Sequence, residues 1–159
     1  MSDTHNDGSP ILRAANLVKT YVDGDVHALR GVSLEVMPGE SLAIVGPSGC
    51  GKSTLLHLLG GLDRPTSGEV YFREKPLSQL DLDGYRAHEI GFVFQSFHLM
   101  PTLTALENVQ IPMFESSLER RKRSTRAESL IAEVGMAHRM NQPSSRLSVG
   151  ERQRIAIAR

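Results

Sequence analysis

The chain contains a single cysteine, Cys50, among 159 residues, which excludes an internal disulfide framework. It also lacks any excess of one charge, with Lys plus Arg and Asp plus Glu at 18 each. No overall field therefore draws it to nucleic acid, and a nucleic-acid partner is not expected. Long apolar runs are missing too. The densest, LLHLLGGL from Leu55 to Leu62, falls well short of the roughly 20 residues that span a bilayer. The opening MSDTHNDGSP has no apolar centre and is not a secretory signal. These absences point to a cytoplasmic location, with membrane contact only through a partner. No internal repeat or low-complexity segment occurs. What remains is 40% hydrophobic content, enough for one domain with a real core and too little for two.

Residues 1–10 read as a disordered tail, because Asp, Asn, Gly, Ser and Pro offer nothing to bury. From Ile11 onward, VSLEV (Val32 to Val36) alternates as a half-buried strand should, and Pro38-Gly39 turns the chain into SLAIV (Ser41 to Val45), expected as a buried central strand. Lys52 to Leu59 carries leucines at 55, 56, 58 and 59 and meets Gly60-Gly61, the pattern of a helix with one broad buried face and a glycine stop. EVYF (Glu69 to Phe72) and IGFVF (Ile90 to Phe94) are further candidate strands. After Pro101, LTALENV, the charged stretch Glu119 to Arg126, and AESLIAEV ending at Gly135 read as helices separated by loops. The run ERRKRSTR reads as a solvated helix face rather than a membrane-facing patch.

GPSGCGKST, Gly46 to Thr54, matches G-x-x-x-x-G-K-[ST] between an expected strand and an expected helix. Phosphate oxygens need several backbone N–H donors aimed at one spot, and Gly46, Gly49 and Gly51 let the backbone curl that tightly around Pro47, Ser48 and Cys50. The helix opening near Lys52 adds its positive end. Lys52 would reach the β and γ phosphates, the Ser53 hydroxyl would hold Mg2+, and Thr54 closes the motif.

Further on, RLSVGERQRIAIAR (Arg146 to Arg159) contains S-x-x-E at Ser148 and Glu151, a capping box that should start a helix with its positive end exposed. With the phosphate loop, Tyr21 at a strand end and Gln95 closing FVFQ, this segment makes the chain from about Ile11 to Arg159 resemble the ATP-binding cassette (ABC) transporter ATPases. HALRGVSLEV, GGLDRPTSGEV and GFVFQSFHLMPTLTALENVQIPM resemble more narrowly the subgroup serving lipoprotein-release and macrolide-export transporters.

The resemblance implies an α/β P-loop NTPase core with a parallel sheet, an N-terminal antiparallel β part and a helical subdomain at about 97–147, all within an incomplete domain over 11–159. It implies that the cofactors are ATP and Mg2+, that Tyr21 stacks on adenine, and that Gln95 contacts Mg2+ and the attacking water. Leu147, Ser148, Val149, Gly150 and Glu151 would face ATP on an opposite subunit, in a homodimer or with a second cassette. A transmembrane permease subunit would hold the protein at the inner face of the plasma membrane and receive the work of ATP hydrolysis. Two positions depart from the usual LSGGQ: Glu151 replaces Gln and is expected to fold back onto the helix start, and Val149 replaces Gly, placing a β-branched side chain where backbone should approach phosphate.

The resemblance also implies that a Walker B aspartate, a catalytic glutamate and a switch histidine follow the signature helix. None can be assigned within these 159 residues, no general base is identified, and little or no hydrolysis by this chain alone is expected. Missing C-terminal strands would leave sheet edge exposed. Two other readings stand beside the transporter ATPase: a short, non-hydrolysing ATP-binding protein that docks to another cassette, and a P-loop ATPase or kinase outside transport.

Overall fold

The structure, a computed structural model, describes residues 8–21, 26–115 and 117–159. Most of the expected N-terminal tail, residues 1–7, lies outside them. The described chain forms two compact units, one ending at Gly91 and one beginning at Phe92.

The first unit is built on an antiparallel sheet of β1 (Leu12–Tyr21), β2 (Val26–Val36), β3 (Ser67–Phe72) and the two-residue β4 (Lys75–Pro76), in the order β2-β1-β3-β4. VSLEV and EVYF fall inside β2 and β3, as their patterns predict. The β1 register shifts between Ala14 and Leu17, where Asn16 adopts φ 49 and its N–H donates to the Ser33 hydroxyl at 2.9 Å. Asn tolerates that left-handed backbone better than other residues with a side chain, so the bulge is locally encoded.

Helix α1 (Lys52–Leu59) buries Leu55, Leu58 and Leu59 with Ala14, Leu17, Leu29 and Val70 of the sheet. Each fully buried leucine contributes about 1.5–3 kcal/mol relative to an exposed one. Leu56, read as part of that face, turns to solvent instead, because the leucine run is wider than the stripe the sheet covers. The glycine stop forms as expected, with Gly60 as C-cap and Gly61 at φ 66. The Tyr85 hydroxyl, carried by α2 (Leu82–His88), donates to the Leu59 carbonyl at 2.9 Å and so satisfies one of the helix's terminal acceptors. Burial, reinforced by the Glu89 charge, pushes the Tyr85 phenol up to about 12.

SLAIV and IGFVF are not strands. Both are apolar and β-favouring, yet Val45 is 88% exposed, and residues 41–45 and 90–94 join no ladder. A buried parallel strand is held by neighbours on both edges, and all ladders among the described residues belong to the antiparallel sheet.

The second unit is helical: α3 (Ala105–Gln110), α4 (Arg120–Glu133) and α5 (Val149–Ala158), with short 3-10 turns between. Its core joins Ala105, Val109, Ala127, Ile131, Met136, Leu147 and Ile155. The charged stretch and AESLIAEV, expected as separate helices, form the single helix α4. No Gly or Pro interrupts them at Arg126-Ala127, and the first breaker is Gly135, at φ 71.

Candidate functional site

The phosphate-loop motif forms a tight turn ahead of α1. Cys50 N–H donates to the Pro47 carbonyl at 3.4 Å, Gly49 takes φ 79 and Gly51 takes φ 93. A Cβ on Gly51 would lie 2.3 Å from the Ala28 carbonyl oxygen of β2. Glycine here serves both a left-handed backbone and a close approach between loop and sheet. At Gly46 a Cβ would sit 2.7 Å from Cys50 Sγ, so the loop closes on its own cysteine.

Gly51 is the N-cap of α1 and, having no side chain, leaves the first turn without a side-chain cap; no acidic residue stands there either. The first bond back to the loop is Leu55 N–H to the Gly51 carbonyl, at 2.8 Å. The N–H groups and positive end of the helix are therefore free for an anion. Lys52 folds over the same turn, its ammonium donating to the carbonyls of Gly46 at 2.8 Å and Pro47 at 2.7 Å, with Cys50 Sγ at 3.7 Å. Ser53 is exposed beside it. This donor set fits a polyphosphate with a hard cation: glycine where backbone must come close, an uncapped helix start, one ammonium and one hydroxyl oxygen.

Tyr21 ends β1 at 37% exposure, in the same unit as the loop. Its hydroxyl donates to Asp63 Oδ2 at 3.1 Å, and the Lys19 ammonium lies 5.0 Å from its ring centroid. Lys19 also bonds Asp63 Oδ1 at 2.7 Å and the Arg64 carbonyl at 2.7 Å. Burial raises the Asp63 carboxyl, but the Lys19 ammonium, the Arg64 backbone N–H and the Tyr21 hydroxyl outweigh it and hold the group below its ordinary value. The sequence reading missed this Lys19–Asp63 support. Its only signal was the Asp of GGLDRPTSGEV, which has no periodicity that marks a partner 44 positions away.

Gln95 and the signature segment belong to the second unit. Gln95 is exposed, just before a turn in which Phe97 and His98 take φ 58 and φ 48. Leu147 is buried in the helical core, while Ser148, Val149 and Gly150 are exposed. The capping box is present: Glu151 N–H donates to Ser148 Oγ at 3.3 Å, and Ser148 N–H donates to Glu151 Oε2 at 2.8 Å. Glu151 thus folds back onto the helix start, where Arg139 Nε also meets it at 3.1 Å. The Ser148 N–H and hydroxyl, followed by Arg139, keep its carboxyl below the usual range. Beyond Arg154 at 4.0 Å, nothing stands near the Cβ position of Gly150.

A second polar cluster was not anticipated. Asn108 and Ser144 are buried, and both bond the Met100 carbonyl, Asn108 Nδ2 at 3.1 Å and Ser144 Oγ at 2.6 Å. Asn108 Oδ1 accepts the Met100 N–H at 2.8 Å. This holds the segment after Gln95 to the segment before Ser148.

A glycine loop clamped to a strand and opening an uncapped helix, in a mixed α/β chain with a capped signature helix, is the arrangement of an ATP-binding cassette. The ABC transporter family model matches residues 29–159, and the chain belongs to that family. It is 46% identical over 156 residues to the lipoprotein-releasing system ATP-binding protein LolD of Saccharophagus degradans, covering 95% of this chain and 68% of that one. With LolD of Geobacter metallireducens it shares 47%, covering 95% and 69%. Among solved structures, a dimeric post-hydrolysis state of the ATP-binding cassette MJ0796 bound to ADP and Pi superposes with TM-score 0.84 at 40% identity, covering 92% of this chain and 67% of that one. The chain thus spans about two thirds of the length of these relatives. The fold is that of the P-loop NTPase cassettes, and the lipoprotein-release subgroup is supported. Among the described residues no helix is long and apolar enough to cross a membrane.

Proposed function

We propose that this chain is the ATP-binding part of an ABC transporter that binds MgATP at Gly46 to Thr54 and couples its hydrolysis to transport by a permease subunit. The observation that carries the reading is the uncapped start of α1 with the Lys52 ammonium folded over it. In this reading the loop N–H groups bind the phosphates, and Lys52 leaves the Gly46 and Pro47 carbonyls to meet the β and γ oxygens. Ser53 would hold Mg2+, which when bound neutralises charge on the phosphates. Tyr21, steadied by Asp63, offers its ring to adenine.

Ser148 and Gly150 would present the start of α5 to a nucleotide on a second cassette, in the head-to-tail manner that the resemblance implies. Glu151 does not oppose that charge directly, because its carboxylate is already engaged by Ser148 N–H and Arg139. Val149, exposed at that helix start, is the residue that would limit close approach. The permease would keep the protein at the inner face of the plasma membrane. Lipoprotein release is the transport process named for its relatives.

Isothermal titration with MgATP tests the site. The wild-type chain should bind, and Lys52→Ala should lose at least about tenfold in affinity, or roughly 1.4 kcal/mol. Unchanged affinity in Lys52→Ala would overturn the assignment.

A further inference from the structure

Helix α4 begins with a charge arrangement that its own electrostatics disfavour. Arg120, Arg121, Lys122, Arg123 and Arg126 place five of the chain's 18 basic residues in its first seven positions. That end of a helix carries partial positive charge and favours acids, yet the first turn holds none, and the N-cap Glu119 makes no capping bond. Arg123 donates to the Leu118 carbonyl at 2.9 Å and lies 4.8 Å from the Phe114 ring centroid, but the side chains of Arg120, Arg121, Lys122 and Arg126 make no ion pair or hydrogen bond among the described residues.

Two further features lie beside these charges. Arg121, Lys122 and Arg126, with the hydroxyls of Thr125 and Ser129, line a shallow depression of about 620 Å3, and Glu119 is the one acidic residue among its lining, so cations outnumber acids there by three to one. Cations and hydroxyls together are the donor set that a phosphate-bearing group takes. Next to it, Phe114 is 60% exposed and Leu118 is exposed as well. Exposed apolar groups beside a basic helix end form the pattern of an interfacial contact.

We propose that the N-terminal end of α4, with Phe114 and Leu118, docks directly on an anionic phospholipid surface, in addition to any attachment through a permease. This departs from reading ERRKRSTR as a merely solvated face. The shape of the patch favours lipid over a folded acidic partner. Arg120 to Arg123 are consecutive, so at about 100° per residue they point all around the helix axis rather than along one face. Long side chains splayed from a helix end can bend toward a laterally fluid plane of phosphates, while Phe114 and Leu118 enter the headgroup layer. The surface is independent of the nucleotide site, so its failure and that of the ATP reading are separate results.

Co-sedimentation of the full chain with vesicles tests this, using phosphatidylcholine alone and phosphatidylcholine containing ~30% phosphatidylglycerol, at low and high salt. The wild type should sediment with the anionic vesicles at low salt only. Arg121→Glu/Lys122→Glu/Arg126→Glu should weaken binding by on the order of tenfold or more, and the corresponding Gln variant by less. The triple Glu variant should fold, since acids suit a helix start, and its helical circular dichroism should equal or exceed that of the wild type. Phe114→Ala should weaken binding without changing its salt dependence. A control of equal charge change on the first unit, Arg30→Glu/Arg64→Glu/Lys75→Glu, should retain most of it. Equal binding to neutral vesicles, equal loss in the control, or no loss in the α4 variant would each overturn the proposal. So would polyglutamate binding through α4 with no vesicle binding, which would assign the surface to an acidic protein.

Discussion

The Ser144 hydroxyl donates to the Met100 carbonyl at 2.6 Å, joining two segments 44 positions apart, one following Gln95 and one leading into Ser148. Asn108 meets the same carbonyl and also accepts the Met100 N–H. Losing the two residues should not cost the same. Ser144→Ala leaves Met100 O bonded to Asn108 and should cost about 0.5–1.5 kcal/mol, whereas Asn108→Ala strands the Met100 N–H and should cost about 1–3 kcal/mol. Urea unfolding followed by dichroism at 222 nm measures both. Equal costs would mean that the Met100 amide finds another acceptor.

Cys50 is exposed inside the phosphate loop, with its Sγ against the position a Cβ on Gly46 would take. An alkyl group there would occupy the space the loop closes on. Alkylation of Cys50 should therefore block MgATP binding, and MgATP should slow alkylation. Mass spectrometry of labelled protein over time would decide it, and equal labelling with and without MgATP would reject the idea.

Tyr21 offers two separable features, a ring and a hydroxyl. Tyr21→Phe keeps the ring and loses only the bond to Asp63, so MgATP affinity should fall little. Tyr21→Ala removes the stacking surface and should cost about 1–3 kcal/mol of binding. Calorimetric titration of the two variants separates adenine stacking from simple packing. Equal affinities would remove Tyr21 from the site.

Stability should fall on the acid side in part through Asp63. Its folded carboxyl titrates below the ordinary value of 3.8. Folding then gains from the charged form above that value, and the gain disappears as pH falls through the lower folded value. Asp63→Asn should lower the urea midpoint near neutral pH, and its deficit against the wild type should shrink as pH falls below the ordinary value of 3.8. Glu151, held down by the Ser148 N–H and hydroxyl and by Arg139, should titrate with the same sign. A deficit for Asp63→Asn that stays constant across this range would show that the Lys19 contact is not what stabilises the carboxylate.

Local chemistry in the sequence was enough to specify the tight glycine turn ahead of α1, the glycine stop of α1 and the capping box at Ser148, because each depends on residues within a few positions of one another. The glycine spacing dictates a tight turn before a helix, and S-x-x-E places a carboxylate within reach of its own helix start. The antiparallel strands containing VSLEV and EVYF were legible for a similar reason: alternation marks a sheet with one face buried.

Elements that depend on distant neighbours were not legible. SLAIV and IGFVF have strand composition, but a strand exists only where a ladder meets it, and composition does not state whether one does. The Lys19–Asp63–Tyr21 contacts and the Asn108–Met100–Ser144 cluster bridge long sequence separations through single hydrogen bonds, which leave no periodic trace. The sequence alone determined what the backbone near each motif can do. Tertiary structure alone decided which side chains are paired, and so left those of Arg120, Arg121, Lys122 and Arg126 at the start of α4 without an ion pair or hydrogen bond among the described residues, because pairing depends on what the fold brings within about 4 Å.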